Sequence, residues 1–391
     1  MFEIILVNFG FWFNLLIPVV VALYLVLTHK EYIWKEFGIQ AVATLAYVGI
    51  IYALLFSVTT DIVDTNYYNG KIQSSTYYEE WKEEVTYTET YSCGTSKDPR
   101  TCTRIKTRID YHAPYYQIET NLGEIISIKR SDWLKTKREF GAKHVDIQRS
   151  GQVSFGDGDK YISYPNKNIP TSVGYNYENL VAAANDNVIH VKVSKETVQQ
   201  LVKKGKVRDY PVLYKGVYGE TLLNRVIDTT GSLKNSGSVL NELNEISTLV
   251  GKSKQANPIL YITNEDISIK EAISQHWKMG KKNDVTLILG VDTDGIIQWS
   301  DVICFTNNTD FKVGMQKDFK GMNINDKEVL STFHDNINNG FVRKPMKEFE
   351  YLKENITLGW EWQLSILLGN ILLSGFITYK FLNNYSRKRN Y

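Results

Sequence analysis

Charge is missing from three stretches of this 391-residue sequence. No Asp, Glu, Lys or Arg occurs from Ile4 to Thr28, from Phe37 to Thr60, or from Trp362 to Tyr379. Each run is long enough to cross a bilayer core of roughly 30 Å as a helix, where one central charge would cost about 2.5–3.5 kcal/mol. Net charge is nearly absent as well. Lys and Arg total 45 against 43 Asp and Glu, +2 overall, which excludes a strong electrostatic pull toward nucleic acid. Histidine is sparse: His29, His112, His144, His190, His276 and His334 are scattered, with no pair four apart and no H-E-x-x-H. G-x-S-x-G, P-loop and G-x-G-x-x-G motifs are missing too, so no catalytic residue and no cofactor is expected from local signatures.

The three uncharged runs read as transmembrane helices over 4–28, 37–60 and 362–379. The first does not resemble a signal peptide, because Glu3 is its only early charge and no Ala-x-Ala follows. Trp360, Trp362 and Tyr379 bracket the third run, as an interfacial aromatic belt would. Asn14 and Asn370 are the notable polar residues within the spans, with Gln40 near one end. Their chemistry suits hydrogen bonding between helices.

Orientation follows from basic residues. The connector His29–Glu36 carries Lys30 and Lys35, and the tail 380–391 carries Lys380, Arg387, Lys388 and Arg389. The positive-inside rule puts connector and tail in the cytoplasm, and residues 61–359 outside it. The expected location is a plasma (bacterial inner) membrane, with the bilayer as one partner and another membrane or envelope protein as a second.

The expected fold class is therefore an integral membrane α+β protein with a β-rich region over 61–236 and an α/β domain over 237–355. Thr- and Tyr-rich alternation in Glu84–Tyr91 and Thr103–Tyr111 predicts a hairpin. Tyr115–Lys129 predicts a second hairpin, and Asn187–Val193 a strand. Ser194 is a plausible N-cap and Gly205 a plausible stop for the helix between them. Thr229–Ser238 has the composition of a linker. After it come an amphipathic helix with Leu240, Leu243, Ile246 and Val250 on one face, the strand "NPILYIT", a helix from Ser268 to Gly280, and the apolar strand "DVTLILGV". The hairpin turn "DTDG", the return strand "IIQWSDVICF" and the helix "NDKEVLSTFHDNINNG" complete the domain.

Cys93 and Cys102 flank eight turn-forming residues. That spacing misses both the zinc and the C-x-x-C patterns, whereas opposed hairpin strands suit a disulfide. Oxidation is favoured outside the cytoplasm, so this expectation depends on the topology. Cys304, in "VICF", reads as a buried small hydrophobe. "GDGD" (Gly156–Asp159) and "DTDG" (Asp292–Gly295) lack the EF-hand spacing and read as turns, with Asp157 and Asp159 as an irregular calcium alternative. The aromatic run holding Tyr67, Tyr68, Tyr77, Tyr78 and Trp81 reads either as a recognition surface or as cross-strand pairs in a twisted sheet.

The segment Glu271–Trp299, "EAISQHWKMGKKNDVTLILGVDTDGIIQW", resembles the TPM domain. That resemblance implies an α/β module tethered outside the cytoplasm, with phosphatase activity or membrane-complex assembly among its uses. The usual glycine-rich stretch after the apolar strand is replaced here by "VICFTNNTDFKVG". The whole layout is similar to uncharacterised membrane proteins of large tailed bacteriophages. The similarity rests on two N-terminal spans, D-T-x-x-x-N-G at Asp64–Gly70, a Cys-bearing hairpin, D-x-x-x-x-Y at Asp110–Tyr115, and G-K-K-N-D-V at Gly280–Val285. The expected function is an interaction protein at the host envelope, not an enzyme, with a membrane-tethered TPM-type hydrolase as the alternative.

Overall fold

The computed structural model describes residues 2–29, 34–60, 62–149, 153–188 and 193–389. Lys30 of the connector, His190, and the side chains of His29 and of residues from 384 onward lie outside the described residues.

The first uncharged run is divided. A short helix α1 (Phe2–Val7) precedes α2 (Phe9–Leu15) and α3 (Ile17–His29). Asn8 caps α2 by accepting from the Gly10 N–H at 3.1 Å. Only the part from Phe9 to Thr28 is a candidate span, so the expected span starting at Ile4 is shortened. α4 (Trp34–Thr59) follows.

The β-rich region is organised by one long strand. β1 (Val63–Tyr78) is followed by β2 (Trp81–Ser92), β3 (Thr101–His112), β4 (Tyr115–Thr120), β5 (Ile125–Ser127), helix α5 (Arg130–Phe140), β6 (Lys143–Val145), β7 (Val153–Phe155), β8 (Lys160–Ser163) and β9 (Pro170–Glu178). The sheet runs β5-β4-β1-β8-β6, while β9 pairs antiparallel with the first half of β1. β2 and β3 form the expected hairpin, joined at its base to β7. α6 (Leu180–Val188) takes up the start of the strand expected at Asn187–Val193. Its apolar residues Leu180, Val181 and Ala184 are buried, and residues 189–192 of the expected strand lie outside the described residues.

The second unit comprises α7 (Lys195–Lys203), β10 (Leu213–Lys215), β11 (Thr221–Leu223), β12 (Val226–Asp228), α8 (Ser236–Lys254), β13 (Asn257–Thr263), α9 (Ile269–His276), β14 (Asp284–Val291), β15 (Ile297–Cys304), α10 (Thr309–Lys317) and α11 (Lys327–Gly340). Ser194 caps α7 through the Thr197 N–H at 3.2 Å. The sheet order is β12-β13-β14-β15, parallel except for β15. Period-two alternation sends Leu260, Ile262, Leu287 and Leu289 to the face covered by α8, α10 and α11. Ile259, Tyr261 and Ile288 face α7 and α9. Both faces are covered, which is why β13 and β14 are buried throughout. This unit crosses the boundary expected at 236/237, because α7 and β12 belong to it. The presumed linker is an ordered turn: the Asp228 carboxylate accepts backbone N–H groups of Thr230, Gly231 and Leu233 at 2.8–3.0 Å. α9 ends at His276, short of the expected Gly280, and Lys278, Met279 and Gly280 turn the chain with positive φ.

A 3-10 helix (Met346–Asn355) leads into α12 (Trp360–Arg389). Among the described residues, three helical stretches are long and apolar enough to cross a membrane: Phe9–Thr28, Lys35–Thr59 and Trp360–Asn383. Pro18 has no N–H to bond the Asn14 carbonyl. The Asn370 side chain donates to that carbonyl at 2.9 Å, with both residues buried. Gly369 lets α12 approach Tyr47 of α4, where a Cβ would collide with the ring hydroxyl. α1, α6 and the 3-10 helix form an apolar collar with α2 and α4 at one end of the bundle, through Ile4, Phe11, Tyr52, Phe56, Leu180 and Leu352. Lys353 donates to Glu3 at 2.6 Å, so the start of the chain sits beside the large segment.

Candidate functional site: a buried polar junction

The two polar signatures Asp64–Gly70 and Gly280–Val285 meet in space. β1 carries Asp64 and Asn69 across the end of the α/β sheet, against residues that open its parallel strands. Asn257 begins β13 and Asp284 begins β14, opposite each other in register. Arg225 immediately precedes β12. All of Asn69, Arg225, Asn257 and Asp284 are at most 1% exposed. α8 crosses β1 at Gly251, where any Cβ would collide with the Asn69 carbonyl oxygen.

Arg225 is the hub. Its Nε donates to Asn244 Oδ1 at 2.8 Å, and its Nη2 donates to Ser172 Oγ at 2.7 Å and to Asn69 Oδ1. Its Nη1 donates to Asn257 Oδ1 and to the Pro258 carbonyl at 3.4 Å. Asn69 donates to Asn257 Oδ1 at 3.1 Å, and Asn257 Nδ2 donates to Asp284 Oδ1 at 2.7 Å. Asp284 also accepts from the Tyr210 hydroxyl at 2.9 Å and from the Lys281 N–H at 2.7 Å. On the outer side Lys281 pairs with Asp64, which also accepts from Asn179 at 2.8 Å. Asn283 donates to the Tyr67 carbonyl, and the Tyr177 hydroxyl accepts the Lys282 N–H at 3.0 Å.

Burial governs the charges here. Loss of hydration pushes the Asp284 carboxyl up to about 6, against the hydrogen bonds from Lys281, Asn257 and Tyr210. It pulls the Arg225 guanidinium down to about 10, against the fields of Tyr210 and Asp284. Desolvation also raises the Tyr210 hydroxyl well above its ordinary range. The two charges are bridged through Asn257 rather than by direct contact. Position separates this cluster from a ligand site: open α/β sheets bind ligands beyond the carboxyl ends of their strands, and this cluster lies at the amino ends. The chemistry it performs is cohesion. Five donor contacts from one planar fork tie β1, β9, α8 and the start of β13 together.

The aromatic candidates are half-buried and engaged internally. Tyr67 stacks near Tyr210 at 6.4 Å and Tyr68 meets Tyr175 edge-on at 5.2 Å. Tyr77 stacks on Tyr116 at 4.8 Å, and Tyr78 on Tyr115 at 4.4 Å. Trp81 is sandwiched between His112 at 4.1 Å and the Arg149 guanidinium at 3.7 Å. This geometry matches cross-strand pairing. Cys93 and Cys102 are bonded across the tip of the β2–β3 ribbon, with Cα atoms 5.7 Å apart. Cys304 is half-buried, and desolvation pushes its thiol up to about 12.

His144, Asp146 and Asp159 gather with ligand atoms within 4.8 Å of one another. Asp157 is not in that group. His144 Nε2 lies 2.9 Å from Asp159 and Nδ1 3.2 Å from Asp146, so the imidazole bridges two carboxylates. Asp159 further accepts the Ile147 N–H at 2.8 Å. Asp292 closes the "DTDG" turn by accepting from Asp294 and Ile296 at 2.9 Å. A cleft of about 700 Å³ beside α7 and α9 contains Glu265, Asp266, Glu271 and Asp301. Within it Asp301 pairs with Lys270 at 2.8 Å and Asp266 accepts the Ser268 N–H at 2.8 Å. No local pattern marks Arg225, and the two signatures Asp64–Gly70 and Gly280–Val285 carry no sign in the sequence that they meet; the one available signal was a polar residue opening each apolar strand. No protein-family model matches the chain, and no curated protein and no solved structure resembles it closely enough to carry an argument.

Proposed function

We propose that this chain is a three-span membrane protein that presents residues 61–359 outside the cytoplasm as a non-catalytic interaction module. The carrying observation is that the large segment stands on the helix bundle through a shared apolar collar, with the termini of α4 and α12 entering it from the same end. The uncharged helices, the Lys-bearing connector and the basic tail support the orientation. The bonded Cys93 and Cys102 agree with an oxidising compartment. The α/β unit, with helices on both sheet faces, supports the TPM-like reading. The resemblance to the phage membrane proteins, carried by the Asp64–Gly70 and Gly280–Val285 sequence signatures, is what points to action at a bacterial host envelope on another membrane or envelope protein.

The hydrolase reading has one observation in its favour, the acidic cleft beside α9. Its Asp301 carboxylate is committed to Lys270 and to Gln316, which donates at 3.1 Å. Alkaline phosphatase fused after residue 150 tests the topology: the fusion should be active, and an inactive fusion made in full amount would reverse the orientation. In-cell crosslinking followed by mass spectrometry should then recover an envelope protein; recovery of none would remove the interaction reading.

A further inference from the structure

Among the described residues, the β2–β3 ribbon is a long two-stranded arm with no strand paired to either edge beyond its base. Twelve consecutive residue pairs, Trp81↔His112 to Ser92↔Thr101, run without a bulge and without proline. β7 borders β2 only at Lys82 and Glu83. Isolated two-stranded ribbons are marginal in water, and a flat, unbulged edge is a template for another strand. The Cys93–Cys102 bond holds the tip closed.

The hydrogen-bond phase of the ribbon is known from its tip. The Cys93 N–H donates to the Arg100 carbonyl at 3.0 Å. Antiparallel alternation then turns the odd-numbered residues of β2 toward β3. The backbone groups of Thr86, Thr88 and Thr90 point away from it, as do those of Thr103, Ile105, Thr107 and Ile109 on the other edge. Ile105 is 76% exposed and Ile109 62%, with no other layer of the described residues packed over them. The edges differ in sign. β2 holds Lys82 against Glu83, Glu84 and Glu89, and β3 holds Arg104, Lys106 and Arg108 against Asp110. One edge is acidic and the other basic, as in the Glu89–Arg104 and Glu89–Lys106 pairs at 2.6 and 2.7 Å within the ribbon.

We propose that the ribbon is the assembly element of a homo-oligomer, in which the basic β3 edge of one copy pairs with the acidic β2 edge of the next. An acidic edge repels another acidic edge, so a two-fold β2–β2 contact is disfavoured and the contact is head-to-tail. Copies that share one membrane orientation turn such a contact into a closed ring of ribbons, antiparallel throughout, with Ile105 and Ile109 of neighbouring copies on one continuous face. The pairing itself rests on the ribbon alone and not on the choice of envelope partner.

The test uses the full-length protein in mild detergent without reductant, its mass followed by light scattering over a dilution series. The wild type should give a multiple of the monomer mass, and raised salt should lower it. Thr88→Pro removes one outward N–H and no β2–β3 bond, and Glu84→Lys weakens the acidic edge. Each should shift the assembly midpoint five- to tenfold, the scale of one lost hydrogen bond or paired charge. Monomer unfolding temperature and the disulfide serve as folding controls, and if Thr88→Pro fails them Glu84→Lys decides. A wild type that is monomeric at every concentration would overturn the proposal, as would assembly indifferent to both variants.

Discussion

Replacing Arg225 by Met would probe the junction most sharply. The side chains are similar in length, so the change removes a charged fork without opening a large void. It deletes donors to Asn244, Asn257, Asn69, Ser172 and the Pro258 carbonyl. Asn69 Oδ1 keeps the Ser172 hydroxyl at 3.1 Å, and Asn257 Oδ1 keeps Asn69 Nδ2. Asn244 Oδ1 is left with no donor, and Asp284 loses its nearest buried cation. Orphaning a buried acceptor costs about 1–3 kcal/mol, and removing one member of a buried charged set costs about 3–5 kcal/mol. Some of that returns because a buried guanidinium no longer has to be desolvated. A net loss of about 3 kcal/mol, or roughly 5 °C in melting temperature, is expected for a segment of this size. Near-ultraviolet circular dichroism of the full-length protein in mild detergent reads it. Arg225→Lys, which keeps charge but not the fork, should lose most of the same amount. If Arg225→Met melts within about 2 °C of the wild type, the junction is not what binds the two units.

Three further outcomes follow from the same structure. Asp284 holds its proton more tightly when folded than when unfolded, so its contribution is complete below about pH 4 and is lost as pH rises through about 6; relative to Asp284→Asn, wild-type stability should fall by about 3 kcal/mol across that window, and parallel profiles would refute the burial of this carboxyl. The double change Cys93→Ser and Cys102→Ser should raise amide exchange at the ribbon tip, with a chain-entropy loss of about 2–3 kcal/mol, and leave exchange in β13 and β14 unchanged; faster exchange in those strands would contradict a local staple. Asn370→Leu should lower stability of the helix bundle in detergent by about 1 kcal/mol, because the Asn14 carbonyl freed by Pro18 loses its donor; an unchanged bundle would show that lipid-facing packing alone suffices.

What could be read from the sequence was whatever depends on neighbours in the chain. Uncharged runs announce the three apolar helices, and period-two alternation announces the ribbon. Continuous apolarity announces β13 and β14. Asn14 and Asn370 were visible as polar intruders, and the helices do bring them together. Long-range polar contacts left no such trace. Arg225 and Asn69 lie 156 residues apart, and Lys281 and Asp64 lie 217 apart. Nothing local marks one lysine among many as the partner of a particular aspartate. α5 escaped for a different reason: among its residues only Trp133 and Thr136 are buried, so its amphipathic stripe is too thin to see. Of the strand expected at Asn187–Val193, Asn187 and Val188 close α6, and residues 189–192 lie outside the described residues.

The central claim is that residues 61–359 face the exterior while the tail faces the cytoplasm. A membrane-impermeant amine reagent applied to intact spheroplasts, followed by peptide mass spectrometry, tests it directly. Lys97, Lys106 and Lys143, in the outer segment, should be labelled before lysis, and Lys388 only after it. Labelling of Lys388 in intact cells, with Lys97 and Lys106 protected until lysis, would contradict the account.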